Sequence, residues 1–145
     1  MTTINRGFNR VLIPLLGTAV LAGCSRTSTL SREEARSQGR SALSLTAEIE
    51  LFIDYIRQGR GTCHYIEGEA SYLQDAIRDS RKQLQKALPQ PGTENSIQTF
   101  MTQLDLLDHE LSRIPFEMGD TAALAAAKER ILKSRETLEK ANSAL

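Results

Sequence analysis

The two histidines of this sequence are the residues most able to bind a metal or transfer a proton. Di-iron helical bundles bind their metals through Glu-x-x-His. The residues three positions before His64 and His109 are Gly61 and Leu106, so neither histidine belongs to that motif. We also find no nucleophile–base pair, glycine-rich phosphate loop or paired carboxylates. The sequence therefore predicts a non-catalytic protein without a metal or a cofactor.

Cys63 is a candidate for thiol chemistry, although no Cys-x-x-Cys motif is present. Ile66 and Ala70 follow it at helical spacing, which places Cys63 on the apolar side of a helix and predicts a small buried hydrophobe. Two alternatives stay open in an oxidising compartment. The thiol forms a disulfide between two molecules, or it remains free and reactive.

A group of apolar and aromatic side chains lies off the main apolar stripes and suggests a surface that contacts a partner protein or a second copy in a homodimer. A wide apolar helix face is the alternative interpretation. The group comprises Leu51, Ile53, Tyr55, Tyr65 and Tyr72.

Three arginines, Arg32, Arg36 and Arg40, follow one another at intervals of four residues and therefore share one helix face. Such a ladder attracts anionic lipid headgroups when it lies near a membrane. Because Glu33 and Glu34 are interleaved with it, a solvated face of mixed charge is the competing interpretation.

Composition limits the classes of function. The chain has 145 residues, enough for one ordinary domain, with 18 basic and 18 acidic side chains. This balance excludes the broad basic surface of a general nucleic-acid-binding protein, and 5% aromatic residues provide little for base stacking. The hydrophobic fraction of 40% is typical of a globular chain.

The N-terminal segment has the order of a secretory signal. Arg6 and Arg10 precede an apolar run over residues 11–20, and small residues follow. Ten helical residues extend only ~15 Å, about half of the ~30 Å hydrocarbon core of a bilayer. A permanent transmembrane anchor is therefore not expected from this run.

Residues 21–24, Leu-Ala-Gly-Cys, resemble the lipobox of bacterial lipoprotein precursors. The resemblance implies diacylglycerol on the Cys24 thiol and cleavage between Gly23 and Cys24. Because Ser25 follows the cysteine, it also implies the periplasmic face of the outer membrane in a Gram-negative cell. In a Gram-positive cell the same anchor holds the protein on the outer face of the plasma membrane.

The rest of the sequence predicts four amphipathic helices, over residues 31–57, 63–88, 94–114 and 121–143. Ser31 and Glu34 form a capping box at the first helix, and glycines end that helix. Prolines following Leu88 and Ile114 end the second and third helices. Thr93 or Asn95 begins the third and Asp120 the fourth.

Short loops between these helices predict an all-α fold, an antiparallel up-down four-helix bundle that follows a cleaved signal peptide. Nothing in the sequence has the alternation or turns of a β-sheet. Because glycine destabilises a helix interior, Gly39 suggests an alternative architecture, in which residues 31–38 separate from a three-helix core.

We therefore divide the chain into a signal peptide over residues 1–23, a tether over residues 24–30 and a bundle over residues 31–145. The expected function is that of a lipid-anchored envelope protein, a non-catalytic binding or scaffold module with an unidentified protein partner. The alternative function is that of a periplasmic bundle that binds a small ligand or a cofactor.

Overall fold

A computed structural model of the protein describes residues 29–145; residues 1–28, which include the predicted lipobox and Cys24, lie outside the described residues. Residues 29–145 form four helices. They are α1 (Arg32–Arg57), α2 (Cys63–Lys86), α3 (Glu94–Glu117) and α4 (Thr121–Ser143). Two short strands, β1 (Thr29–Leu30) and β2 (Leu88–Pro89), precede α1 and follow α2.

The helices form a ring in chain order. Helix α1 packs most extensively on α4, α2 on α3, and α3 on α4, while α1 and α2 complete the ring. Short connections make consecutive helices antiparallel. The predicted four-helix bundle is confirmed.

Helix α1 begins and ends through the signals that its sequence contains. The Ser31 hydroxyl accepts a hydrogen bond from the Glu34 backbone N–H at 3.2 Å, and the Glu34 carboxylate accepts one from the Ser31 N–H at 2.7 Å. At the other end Gly59 takes a positive φ of 70°, with Arg60 N–H donating back to the Tyr55 carbonyl. This pattern is a Schellman motif.

Residues 32–38 belong to α1, which continues through Gly39 without a break, so the three-helix alternative is wrong. Gly39 is buried where α1 crosses its neighbours. A Cβ atom at this position would lie 2.7 Å from Cζ of Phe100 on α3, so the absence of a side chain allows the helices to approach.

Helix α2 ends at Lys86, two residues before the predicted boundary, because Ala87 is already extended. Leu88–Pro89 then pairs in parallel with Thr29–Leu30, and the Gln90 N–H donates to the Leu30 carbonyl at 3.3 Å. Leu30 is buried in the main core. The expectation of no β-pairing is therefore wrong for these four residues, and part of the predicted tether belongs to the fold.

Helix α3 continues three residues past its predicted end. Proline lacks a backbone N–H and disfavours helix in the preceding residue. Pro115 nevertheless lies within the last turn of α3, because Ile114 is fully buried in the core and holds the backbone there. At the start of α3, Thr93 occupies the N-cap position, but its side chain makes no capping hydrogen bond. Its hydroxyl instead donates to the Gln90 carbonyl at 2.7 Å.

One hydrophobic core runs between the four helices and contains the predicted apolar stripes. Its largest fully buried side chains come from all four helices and include Ile49, Leu73, Phe100, Leu104, Ile131 and Leu138. None of the helices in residues 29–145 has the length and hydrophobicity that a membrane span requires.

Candidate functional site

An open groove between α1 and α2 is lined by aromatic, aliphatic and acidic side chains, and we call it the tyrosine groove. Its lining consists of Glu48, Leu51, Phe52, Tyr55, Tyr65 and Glu69. The α1 residues recur at intervals of three and four, so they form one face of that helix. Because α2 returns antiparallel, its first turns supply the opposite wall.

Two tyrosines, one from each wall of the tyrosine groove, pack against each other. The ring centroids of Tyr55 and Tyr65 lie 5.5 Å apart with a 58° angle between the ring planes, a tilted aromatic pair. Tyr55 is 36% exposed, Tyr65 46% and Leu51 70%. The rings therefore hold each other in place while leaving aromatic surface accessible to a partner.

The turn between α1 and α2 provides the space for this pair. Gly61 has a φ of 90°, a conformation that side chains other than glycine rarely adopt. A Cβ atom there would lie 3.0 Å from Cε1 of Tyr55 and 3.2 Å from Cδ1 of Tyr65. Glycine at this position thus both forms the turn and allows the rings to meet.

The tyrosine groove is negatively charged. Within residues 29–145, neither Glu48 nor Glu69 forms an ion pair. Partial removal of Tyr65 from water, and then the nearby Glu69 carboxylate, raise the pKa of the Tyr65 phenol. The phenol therefore stays neutral at physiological pH, and the two carboxylates supply the charge.

The structure brings together only part of the predicted partner surface. Leu51, Tyr55 and Tyr65 line the groove, whereas Tyr72 is 65% exposed two turns further along α2 and outside the lining. Ile53 is fully buried, so its assignment to the surface is wrong. It lies four residues after Ile49 and therefore shares the core stripe of α1.

The two acidic residues of the groove, Glu48 and Glu69, were not predicted from the sequence. Glu48 precedes Leu51 by three positions, and Glu69 follows Tyr65 by four, so helical spacing contained the signal. The missing information was the pairing of these two faces, which depends on how α1 and α2 rotate about their axes when they pack.

Cys63 and His64 are exposed, so the prediction that Cys63 is buried is wrong. Thr62 caps α2 by accepting from the Tyr65 N–H at 3.3 Å, which makes Cys63 the first helical residue. The first turn of α2 projects beyond the core, and Ile66 is its first buried residue. Cys63 is a free thiol in the described chain.

The arginine ladder lies on α1 near β1. Arg32 and Arg40 are exposed and Arg36 is half-buried. Arg40 forms an exposed ion pair with Glu33 at 3.3 Å, as the mixed-charge interpretation predicts. Contact of the ladder with lipid headgroups stays a prediction.

Metal-binding residue types do not cluster in the described part of the chain: no three His, Cys, Asp or Glu side chains of residues 29–145 group closely enough to hold an ion. The chain matches no protein-family model, no curated protein and no solved structure.

Proposed function

We propose that this protein is a lipid-anchored bacterial envelope protein that works by binding, and that the tyrosine groove is the surface it uses. The observation that supports this proposal is the joining of Leu51, Tyr55 and Tyr65 into one exposed groove. Exposed aromatic residues beside an aliphatic one are typical of the central contacts of protein interfaces.

The chemistry of the groove selects a partner protein with a lysine or arginine beside apolar side chains. The carboxylates of Glu48 and Glu69 lack a basic partner within residues 29–145 and attract a cation. The faces of Tyr55 and Tyr65 also attract a cation, through their π electrons. Leu51 then contacts the apolar residues that flank the cationic side chain.

Residues 21–24 support the lipid anchor through their resemblance to a lipobox. In a protein acylated at Cys24, the chain from Cys24 to Thr29 spans at most about 17 Å. Such a tether holds the bundle near the membrane and raises its local concentration around membrane partners, which allows a weak groove contact to suffice.

Site-specific photocrosslinking in native membranes tests the groove. We expect p-benzoylphenylalanine at Leu51 to crosslink a partner at a peptide that contains lysine or arginine. The matched control places the same group at Phe116, which is 90% exposed on α3 outside the groove. Glu48→Lys with Glu69→Lys should abolish the Leu51 crosslink, whereas Glu129→Lys with Glu136→Lys on α4 should leave it intact.

Three outcomes would contradict the groove proposal. They are a crosslink that persists after the charge reversal at Glu48 and Glu69, a crosslinked peptide without basic residues, and a crosslink to a second copy of this chain. The last outcome would identify the groove as a homodimer interface.

Mass spectrometry of the intact protein from its native membrane tests the anchor separately. We expect a species that begins at Cys24 and carries two or three acyl chains, and we expect Cys24→Ala to lack them. An unmodified protein that retains residues 1–23 would overturn the lipoprotein proposal and leave the groove proposal to its own test.

A further inference from the structure

A second cleft lies between α3 and α4, and we call it the α3–α4 cleft. It encloses about 290 Å³, near the lower end of small-molecule sites. Leu106, Leu107 and Ile131 form its apolar surface, and Gln103, Lys133 and Ser134 contribute polar groups. None of these residues belongs to the tyrosine groove, so the two sites are independent.

The α3–α4 cleft has an unusual concentration of buried polar side chains. Gln103 is 9% exposed, Glu110 7% and Ser134 4%. The Ser134 hydroxyl has no hydrogen-bond partner among residues 29–145. By contrast, the buried Thr46 hydroxyl donates to the Ala42 carbonyl at 2.8 Å. An unpaired buried polar group destabilises a fold, so the Ser134 hydroxyl on the cleft lining is available to a polar group that binds in the cleft.

An ion pair lines one end of the cleft, and its two charges neutralise each other. The Arg130 guanidinium donates from Nε and Nη2 to the two oxygens of Glu110, at 2.6 and 2.7 Å. This bidentate geometry leaves the Glu110 carboxylate with little attraction for a further cation. An amine is therefore not the ligand that this end selects.

Lys133 supplies the cleft with a cation that forms no ion pair within residues 29–145. Glu129 and Glu136 flank it on α4 and line a neighbouring groove with it, but neither carboxylate lies within ion-pair distance of Lys133. The Gln103 amide, which has two N–H donors, lies on the opposite wall. The donor groups of the residues that line the cleft thus suit an anionic oxygen group.

We propose that the α3–α4 cleft binds a small amphipathic carboxylic acid. Its apolar body packs along Leu106, Leu107 and Ile131, and its carboxylate accepts hydrogen bonds from Lys133, Gln103 and Ser134. The cleft follows α3 from Gln103 to Glu110, about 10 Å at the helical rise, which matches a short alkyl chain.

Calorimetric titration of the full chain with sodium octanoate tests this proposal. We expect saturable binding of octanoate and much weaker binding of octylammonium and of 1-octanol. Lys133→Gln should weaken octanoate binding about threefold, the effect of one partly exposed ion pair. Lys140→Gln, which changes an exposed lysine of α4 outside the cleft, should leave the affinity unchanged.

Ser134→Ala separates a ligand contact from a structural role. We expect this variant to be at least as resistant to urea as the original protein, because it removes an unpaired buried hydroxyl, yet to bind octanoate more weakly. Changes in the backbone amide NMR chemical shifts on addition of octanoate report where the ligand binds. We expect these changes at Leu107 and Ile131.

The proposal is overturned if octanoate does not saturate, if octylammonium binds equally well, or if Lys133→Gln and Ser134→Ala both leave the affinity unchanged. Shifts confined to the apolar residues 11–20 would also overturn it, because octanoate would then be binding to the N-terminal segment.

Discussion

Gly39 and Gly68 both lie inside helices, and we expect opposite results when each is changed to alanine. At Gly39 the new Cβ would meet the buried Phe100 ring at 2.7 Å, so Gly39→Ala should destabilise the protein by about 1–3 kcal/mol. At Gly68 a new Cβ would meet no atom of residues 29–145 within 4 Å apart from its chain neighbours and the backbone of its own helix. Gly68→Ala should therefore stabilise by up to about 1 kcal/mol through helix propensity alone.

Urea denaturation of the two glycine variants beside the original protein measures both changes. Equal stabilisation by both substitutions would show that α1 does not approach α3 as closely at Gly39 as the structure indicates.

Single positions show how far the sequence could predict the candidate site. The structure brings Leu51, Tyr55 and Tyr65 into one groove, since helical spacing defines which residues share a face, and their contact with a partner stays a prediction. Cys63 and Ile53 were placed on the wrong sides, buried and exposed respectively. Each residue adds about 100° around a helix, so a small error in the position of the core stripe reverses the environment of residues at its edge.

Among the helices, the stability of α4 depends on its N-cap residue, Asp120. The Asp120 carboxylate accepts hydrogen bonds from the backbone N–H groups of Ala122 and Ala123, both at 2.9 Å. We expect Asp120→Ala to lower the free energy of unfolding by about 1 kcal/mol, because these donors lose their partner. Asp120→Asn retains an oxygen acceptor and serves as the control. Thermal unfolding followed by circular dichroism measures both, and equal stability of the two variants would contradict the cap.

The Glu110–Arg130 ion pair joins α3 to α4 and should contribute more than a pair within one helix. Its two bonds are short, and hydrogen bonding to Glu110 raises the pKa of Arg130, so the guanidinium stays charged. A double-mutant cycle with Glu110→Gln and Arg130→Gln should give a coupling of about 1–2 kcal/mol.

The matched cycle uses Asp75 and Arg78, an exposed pair at 2.7 Å within α2. We expect its coupling to stay below about 0.5 kcal/mol, because water screens both charges. Similar couplings in the two cycles would show that the bidentate geometry and partial burial of the Glu110–Arg130 pair add nothing to the stability of the bundle.

Helix boundaries were predictable where a local hydrogen bond sets them. Ser31 and Asp120 act through their own side chains on N–H groups of the same turn, and both caps were predicted correctly. Pro115 did not end α3, because burial of Ile114 outweighs the local preference for an extended residue before proline. Such a boundary depends on tertiary packing and cannot be derived from the segment alone.

For the molecule as a whole, loop length was enough to predict the bundle, whereas the β1–β2 pairing was not predictable. Thr29–Leu30 and Leu88–Pro89 lie far apart in sequence and contain no strand pattern. They meet because α1 begins and α2 ends at the same end of the bundle, where Leu30 is buried. Thr29, the first residue that the structure describes, therefore lies at this end.

The position of Thr29 at this end predicts the orientation of a lipidated molecule. Helix α1 has 26 residues and is about 39 Å long, so the turn at Gly59 and the start of α2 lie far from Thr29. A bundle that stands on its β1–β2 end would hold the tyrosine groove away from the lipid surface. The groove would then be accessible to a partner.

Cys63 and Lys86 mark the two ends of α2 and allow this orientation to be measured. Cys63 is exposed and, in a protein acylated at Cys24, it is the remaining thiol for a fluorescent label. The comparison variant carries Cys63→Ser with Lys86→Cys, which moves the label about 35 Å along the same helix. In vesicles that contain an acceptor lipid, energy transfer should be stronger from position 86. Equal transfer from both positions would mean that the bundle lies flat on the membrane. The helix face that contacts the lipid, and not the distance of the far end from the membrane, would then determine which partners reach the groove.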